Sequence, residues 1–227
     1  MRVLFLLMFL GLTACGRPLT EAELQFAADF HGPDLDASKV RVRAAPVLKL
    51  YRATYPTPPR TTCVQKLFPP AKGPTVSGSP AATVLFNTVN VNPDYHARNY
   101  LPAYPEASLL LATMFLAHEL IHVWQWQNRE LTGYHPLKAA REHQNQPDPY
   151  LFELSSSRKL LDFGYEQQGA IAEEYVCCAA LAPKAARTAR LEALLGEHFD
   201  LRAMTARLDQ SEVVLPWDGV ELNGICD

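Results

Sequence analysis

His118, Glu119 and His122 form a His-Glu-x-x-His pattern inside an apolar run, residues 109–126. Residues four apart lie on one face of an α-helix, so two imidazoles can address one metal ion with Glu119 beside them. Imidazole suits zinc, and a catalytic zinc takes three protein ligands while keeping one position for water. The Glu119 carboxylate would act as general base, taking a proton from that water as it attacks a carbonyl. The same spacing also arises by chance in helices, and a lone buried His is usually a satisfied core residue. Here two His and a Glu interrupt almost wholly apolar sequence. Burying a neutral polar group without a partner costs roughly 2–7 kcal/mol, and a charge costs more. One cation would account for all three residues.

A third ligand is needed, and residues 163–181, which read as a second long helix, offer Glu166, Glu173 and Glu174. Glu166 and Glu173 are seven apart and share a face, whereas Glu174 is rotated away. Tyr165 and Tyr175 could donate to an oxyanion, but helix packing is the preferred reading for both. His135 and His143 lie in the polar stretch between the two helices. They do not complete a His-x-x-Gly-x-x-His extension, because Gln125 stands at the Gly and Asn128 at the third His. Both read as surface histidines.

The run His118-Glu119-Leu120-Ile121-His122-Val123-Trp124-Gln125, followed by Glu166-Gln167-Gln168-Gly169-Ala170-Ile171, carries a resemblance. The second element resembles the Glu-x-x-Ala element of HtpX-like and CaaX-processing zinc peptidases. Together the two look like a group of bacterial HExxH proteins described as Vgr-related or found near contractile secretion systems. The likeness covers roughly residues 83–180. It implies a glutamate-type zincin with His118, His122 and Glu166 as Zn²⁺ ligands and Glu119 as catalytic base. The Asp that follows Glu-x-x-Ala in HtpX-like enzymes, where it orients a ligand His, is Ala170 here. Glu173, one turn on, is the candidate to replace it, or to be the ligand itself.

The rest of the chain must position these groups. Thr20 and Glu23 read as a capping box opening a helix through about Phe30. Residues 39–43 give a weak strand signal. Residues 46–80 are dense in Pro and read as mostly irregular chain pinned by Cys63. Residues 83–91 are β-branched and read as one core strand ending at Asn92-Pro93; strand addition also makes it a candidate to pair with extended substrate. Pro105 suits the first turn of the central helix, which runs to about Asn128. Residues 184–208 read as one helix with Arg187, Arg190, Glu192, Arg202 and Arg207 on a solvated face.

At 227 residues, 48% hydrophobic and 20% charged, the chain can bury one full core. Its formal net charge of −3 gives no broad basic surface for nucleic acid. Met1-Arg2 and the apolar residues 3–10 make a short leader, too short to span a membrane. Leu12-Thr13-Ala14-Cys15-Gly16 resembles a bacterial lipobox, which makes residues 1–14 a signal peptide and Cys15 the lipidated N-terminus. Two or three acyl chains there would anchor the protein stably. Gly16 in place of Asp points to the outer membrane, facing the periplasm. Cys63, Cys177, Cys178 and Cys226 remain for two disulfides. Adjacent Cys177 and Cys178 join each other only with strain, so each pairs with Cys63 or Cys226, and the sequence does not choose between the pairings.

The expectation is thus α+β, mainly helical, with a two-helix metal core and a small sheet in one domain, residues 15–227, whose metal core spans 83–180. The expected function is a lipid-anchored zinc metallopeptidase acting on a peptide or protein. The rival readings are a catalytically inactive zinc-binding envelope lipoprotein with a binding or assembly role, and an endopeptidase of peptidoglycan cross-links.

Overall fold

The computed structural model describes residues 16–145, 148–154 and 157–227. Cys15 and the leader before it lie outside the described residues. In chain order the described elements are β1 (Arg17–Pro18), α1 (Glu21–His31), β2 (Arg41–Ala44), β3 (Ala53–Pro56), α2 (Cys63–Leu67), β4 (Thr75–Gly78), β5 (Ala82–Leu85), β6 (Thr88–Val91), β7 (Ala107–Leu109), α3 (Leu110–Gln127), α4 (Arg129–Thr132), α5 (Pro136–Asn145), α6 (Tyr165–Leu181), α7 (Ala186–Leu195), α8 (Arg202–Gln210) and β8 (Glu212–Val214). The fold is α+β and mainly helical.

The capping box forms as expected: Thr20 Oγ1 accepts from the Glu23 N–H, and the Glu23 carboxylate accepts from the Thr20 N–H. Glu23 is fully buried and does more than cap. Arg17 grips it with two hydrogen bonds of 2.7 and 2.9 Å, and the Tyr100 N–H donates to it at 2.9 Å. A buried carboxylate needs such partners to offset its lost hydration. They tie β1, α1 and the approach to α3 together.

The main sheet has the order β1-β2-β6-β5, with β2 and β6 parallel and the outer pairs antiparallel. Residues 83–91 are therefore a hairpin, not one strand. Leu85 faces Thr88 across a two-residue loop, Phe86-Asn87, in which Phe86 has φ 57°. A positive φ is unusual for a bulky side chain, and the usual Asn-Gly signature of such a turn is missing.

Helix α3 starts at Leu110 rather than at Pro105. The preceding residues, Ala107–Leu109, pair in parallel with β8 and so are held extended. The helix is apolar all round and accordingly buried, with Leu110, Met114, Leu120, Ile121 and Trp124 at 1% exposure or less. It packs chiefly on α6. The apolar cluster around this pair runs from Leu19 to Cys226.

Three other stretches differ from expectation. Residues 46–80 contain a hairpin, β3–β4, and a short helix, α2, capped by Thr62. The polar stretch after the central helix holds α5. Residues 184–208 break into α7 and α8, because Phe199 and Leu201 between them turn into the core. Cys63 bonds Cys177, and Cys178 bonds Cys226, so adjacent cysteines on α6 serve different partners. Among the described residues, no helix is long and apolar enough to cross a membrane.

Candidate metal centre

Helix α3 supplies His118, Glu119 and His122, and α6 supplies Glu166, Gln168, Gly169 and Glu173. Their approach depends on Gly169. A Cβ there would lie 2.8 Å from the Cε1 and Nε2 atoms of His118, closer than packed atoms allow. The absent side chain is the space that the imidazole occupies.

Three atoms converge in that space. His118 Nε2 and His122 Nε2 are 3.2 Å apart. Glu166 Oε2 lies 3.5 Å from the first and 3.3 Å from the second. Each imidazole is held from behind through its other nitrogen. Glu173 Oε2 stands 3.4 Å from His118 Nδ1, and Gln125 Oε1 stands 3.0 Å from His122 Nδ1. If both Nδ1 atoms carry the hydrogen, both Nε2 atoms present lone pairs, and the third atom is a carboxylate oxygen. Three acceptors this close repel one another unless a proton or a metal cation lies among them. The buried group of His118, His122 and Glu166 could therefore hold a metal ion.

The ionisation of the group follows from the same closeness. Burial alone would lower both imidazoles, yet Glu166 and Glu173 hold His118 well above its ordinary value and Glu166 raises His122. Burial would raise Glu166, but His122, His118 and His143 hold it well below the usual carboxylate range. Glu119 behaves differently. Burial raises it, and the attraction of His118 and His122 does not offset that. In the metal-free chain the site thus gathers positive charge around Glu166 and leaves Glu119 readier to accept a proton.

The structure separates the carboxylates that sequence left open. Glu166 meets the converging Nε2 atoms; Glu173 meets the far nitrogen of His118, where it orients the ring. Glu174 faces away, accepting from the Cys63 N–H at 2.7 Å and from Arg187 Nε at 2.6 Å. The tyrosine hydroxyls are engaged elsewhere, Tyr165 with the Gly133 carbonyl and Tyr175 with Thr205. His135 is exposed, as expected.

His143 is exposed too, as expected, but it is not free: α5 carries its Nε2 to 2.9 Å from Glu166 Oε1, and that hydrogen bond, against the effect of burial, raises it. The ring of Tyr150 lies 5.8 Å from the rings of both His118 and His143. Burial, then Glu166, Glu119 and Glu173, push its phenol upward. No spacing rule joins these two residues to the motif, since neither lies on α3 or α6. Gln125 and Gln168 were legible only as amides in apolar helices, a signal that they have buried partners.

No known family matches the sequence, and no curated protein matches it either. Among solved structures, the effector domain of Pseudomonas aeruginosa VgrG2b matches with a TM-score of 0.49 at 21% identity, over 85% of this chain and 91% of that domain. So distant a likeness assigns no chemistry.

Proposed function

We propose that this chain is a zinc-dependent metallopeptidase, held at the outer membrane by a lipidated Cys15 and acting on peptide or protein substrates in the periplasm. The convergence of His118, His122 and Glu166 carries the reading. Their separations of 3.2, 3.3 and 3.5 Å compare with the edge of about 3.3 Å of a tetrahedron whose metal–ligand distance is about 2.0–2.1 Å. When bound, zinc supplies Lewis acidity, which polarises a peptide carbonyl and makes water a better nucleophile. Glu119 takes the proton from the attacking water and passes it to the leaving nitrogen. Glu173 and Gln125 keep the imidazoles aimed. The leader and lipobox-like residues 1–16 support the anchor.

A binding lipoprotein that holds zinc without turnover is the second reading, favoured by the way His143 and Tyr150 crowd Glu166 and His118. Zinc content of the form starting after Cys15, with peptide hydrolysis by parent and Glu119→Gln, decides between them. The peptidase reading expects one zinc per chain in both proteins and a rate lower by about 100- to 10,000-fold in the variant. Undiminished hydrolysis by Glu119→Gln would overturn the mechanism. Zinc in a parent inert toward both peptides and peptidoglycan would leave the binding role. Digestion of purified peptidoglycan, with proteins untouched, would move the substrate to cell-wall cross-links.

A further inference from the structure

His122 has a backing partner unlike that of His118, which leans on a carboxylate. Gln125 Oε1 faces His122 Nδ1 at 3.0 Å, while Gln125 Nε2 donates to the Tyr165 carbonyl at 3.1 Å and to Gln168 Oε1 at 2.9 Å. Gln168 Nε2 in turn donates to the Phe163 carbonyl at 2.9 Å. Gln125 and Gln168 are both essentially buried, at 0% and 1% exposure.

The direction of every bond in this chain is forced. A backbone carbonyl only accepts, so the amide nitrogen of Gln168 must face Phe163 and that of Gln125 must face Tyr165. Gln168 then offers its oxygen to Gln125, and Gln125 offers its oxygen to His122. An oxygen facing Nδ1 requires a hydrogen there, which in the neutral ring leaves the lone pair on Nε2, the atom that meets Glu166. Reversing either amide would set oxygen against oxygen in a buried setting, at a cost of about 1–3 kcal/mol per unpaired group.

We propose that Gln125 and Gln168 form a neutral amide relay, anchored on the Phe163 and Tyr165 carbonyls, that fixes His122 with its hydrogen on Nδ1 and its lone pair toward the metal position. Gln125 and Gln168 are positioning residues; neither reaches the converging atoms. The anchors lie at the start of α6, whose first turn also carries Glu166, so one short stretch of chain sets both the third ligand and the aim of the second. The relay rests on the metal-centre reading above, but its central claim is a hydrogen position that exists without metal.

Two measurements test it. The first is the ¹⁵N tautomer of the His122 ring in the metal-free parent at alkaline pH, where the relay expects hydrogen on Nδ1; hydrogen on Nε2 would overturn it. The second is zinc affinity, by chelator competition, of Gln125→Met and Gln168→Met, with circular dichroism as a folding control. Gln125→Met is expected to weaken zinc binding about 10- to 100-fold, and Gln168→Met less, because the Tyr165 anchor remains. Affinity within twofold of the parent in a folded Gln125→Met would sink the proposal. Should Gln125→Met fail to fold, the parent tautomer and Gln168→Met still decide, and an unchanged Gln168→Met with hydrogen on Nε2 would count against it. A parent that binds no zinc refutes the metal-centre reading, while the tautomer is read independently.

Discussion

His31 and His122 are both buried imidazoles in the same apolar core, yet their surroundings drive them in opposite directions. His31 packs against the rings of Phe30 and Phe199, at 4.7 and 5.1 Å, and among the described residues neither of its nitrogens has a hydrogen-bond partner. Burial pushes it down to about 3. Burial pulls His122 the same way, but Glu166 outweighs it and the ring is raised. Low polarity penalises charge at both places; only the second supplies an opposite charge to answer it. A buried His is therefore no evidence for a metal on its own, and the carboxylate facing it decides.

Removing that carboxylate is the hardest test of the contrast. Glu166→Ala and His122→Ala should each lose zinc by more than the roughly 100-fold typical of changes outside the ligands, read as metal per chain after dialysis. Zinc retained in Glu166→Ala, but lost on adding Glu173→Ala, would transfer the ligand role to Glu173.

The His31 half of the contrast shows in acid. Below pH 6.5 the unfolded chain protonates this imidazole while the folded chain resists until about 3, so stability falls as pH falls through that window, by about 1.4 kcal/mol per unit. At pH 5 the penalty is about 2 kcal/mol. Denaturant melts of His31→Leu should show a shallower loss between pH 7 and 5 than the parent. Identical slopes would mean that His31 finds a partner in solution.

The smallest expected effect is at Gly169. Gly169→Ala gains up to about 1 kcal/mol in helix propensity and loses about 1–3 kcal/mol to overpacking against His118. The net loss of stability is small, but zinc affinity should drop along with it, because the ring itself must move. A variant with the parent's zinc affinity would show that α3 and α6 can separate without disturbing the ligands.

What could be read from sequence follows the range of the forces involved. His118, Glu119 and His122 were legible because helical period alone places them together. Glu166 and Glu173 were not separable, since they share a face and differ only in which imidazole nitrogen each meets. The contact of His143 with Glu166 was missed because tertiary packing, not spacing, carries α5 to Glu166. The hairpin inside residues 83–91 was missed because Phe86-Asn87 lacks the glycine that marks such turns. The break in residues 184–208 was missed because apolar Phe199 and Leu201 make it, where a surface loop would be polar.

The pairing of Cys177 with Cys63 and of Cys178 with Cys226 has a consequence in time. Both cross-links end on α6, the helix that carries Glu166, and they close stretches of chain with sequence separations of 114 and 48 residues. A newly made, still reduced chain has Glu166 on a helix with neither tether. Oxidation fastens that helix to α2, in the first third of the chain, and to the chain's last residues. Zinc content per chain is therefore expected to fall when both cross-links are removed by Cys→Ser substitution, and unchanged content would show that packing of α6 on α3 holds the His118–His122–Glu166 group without them.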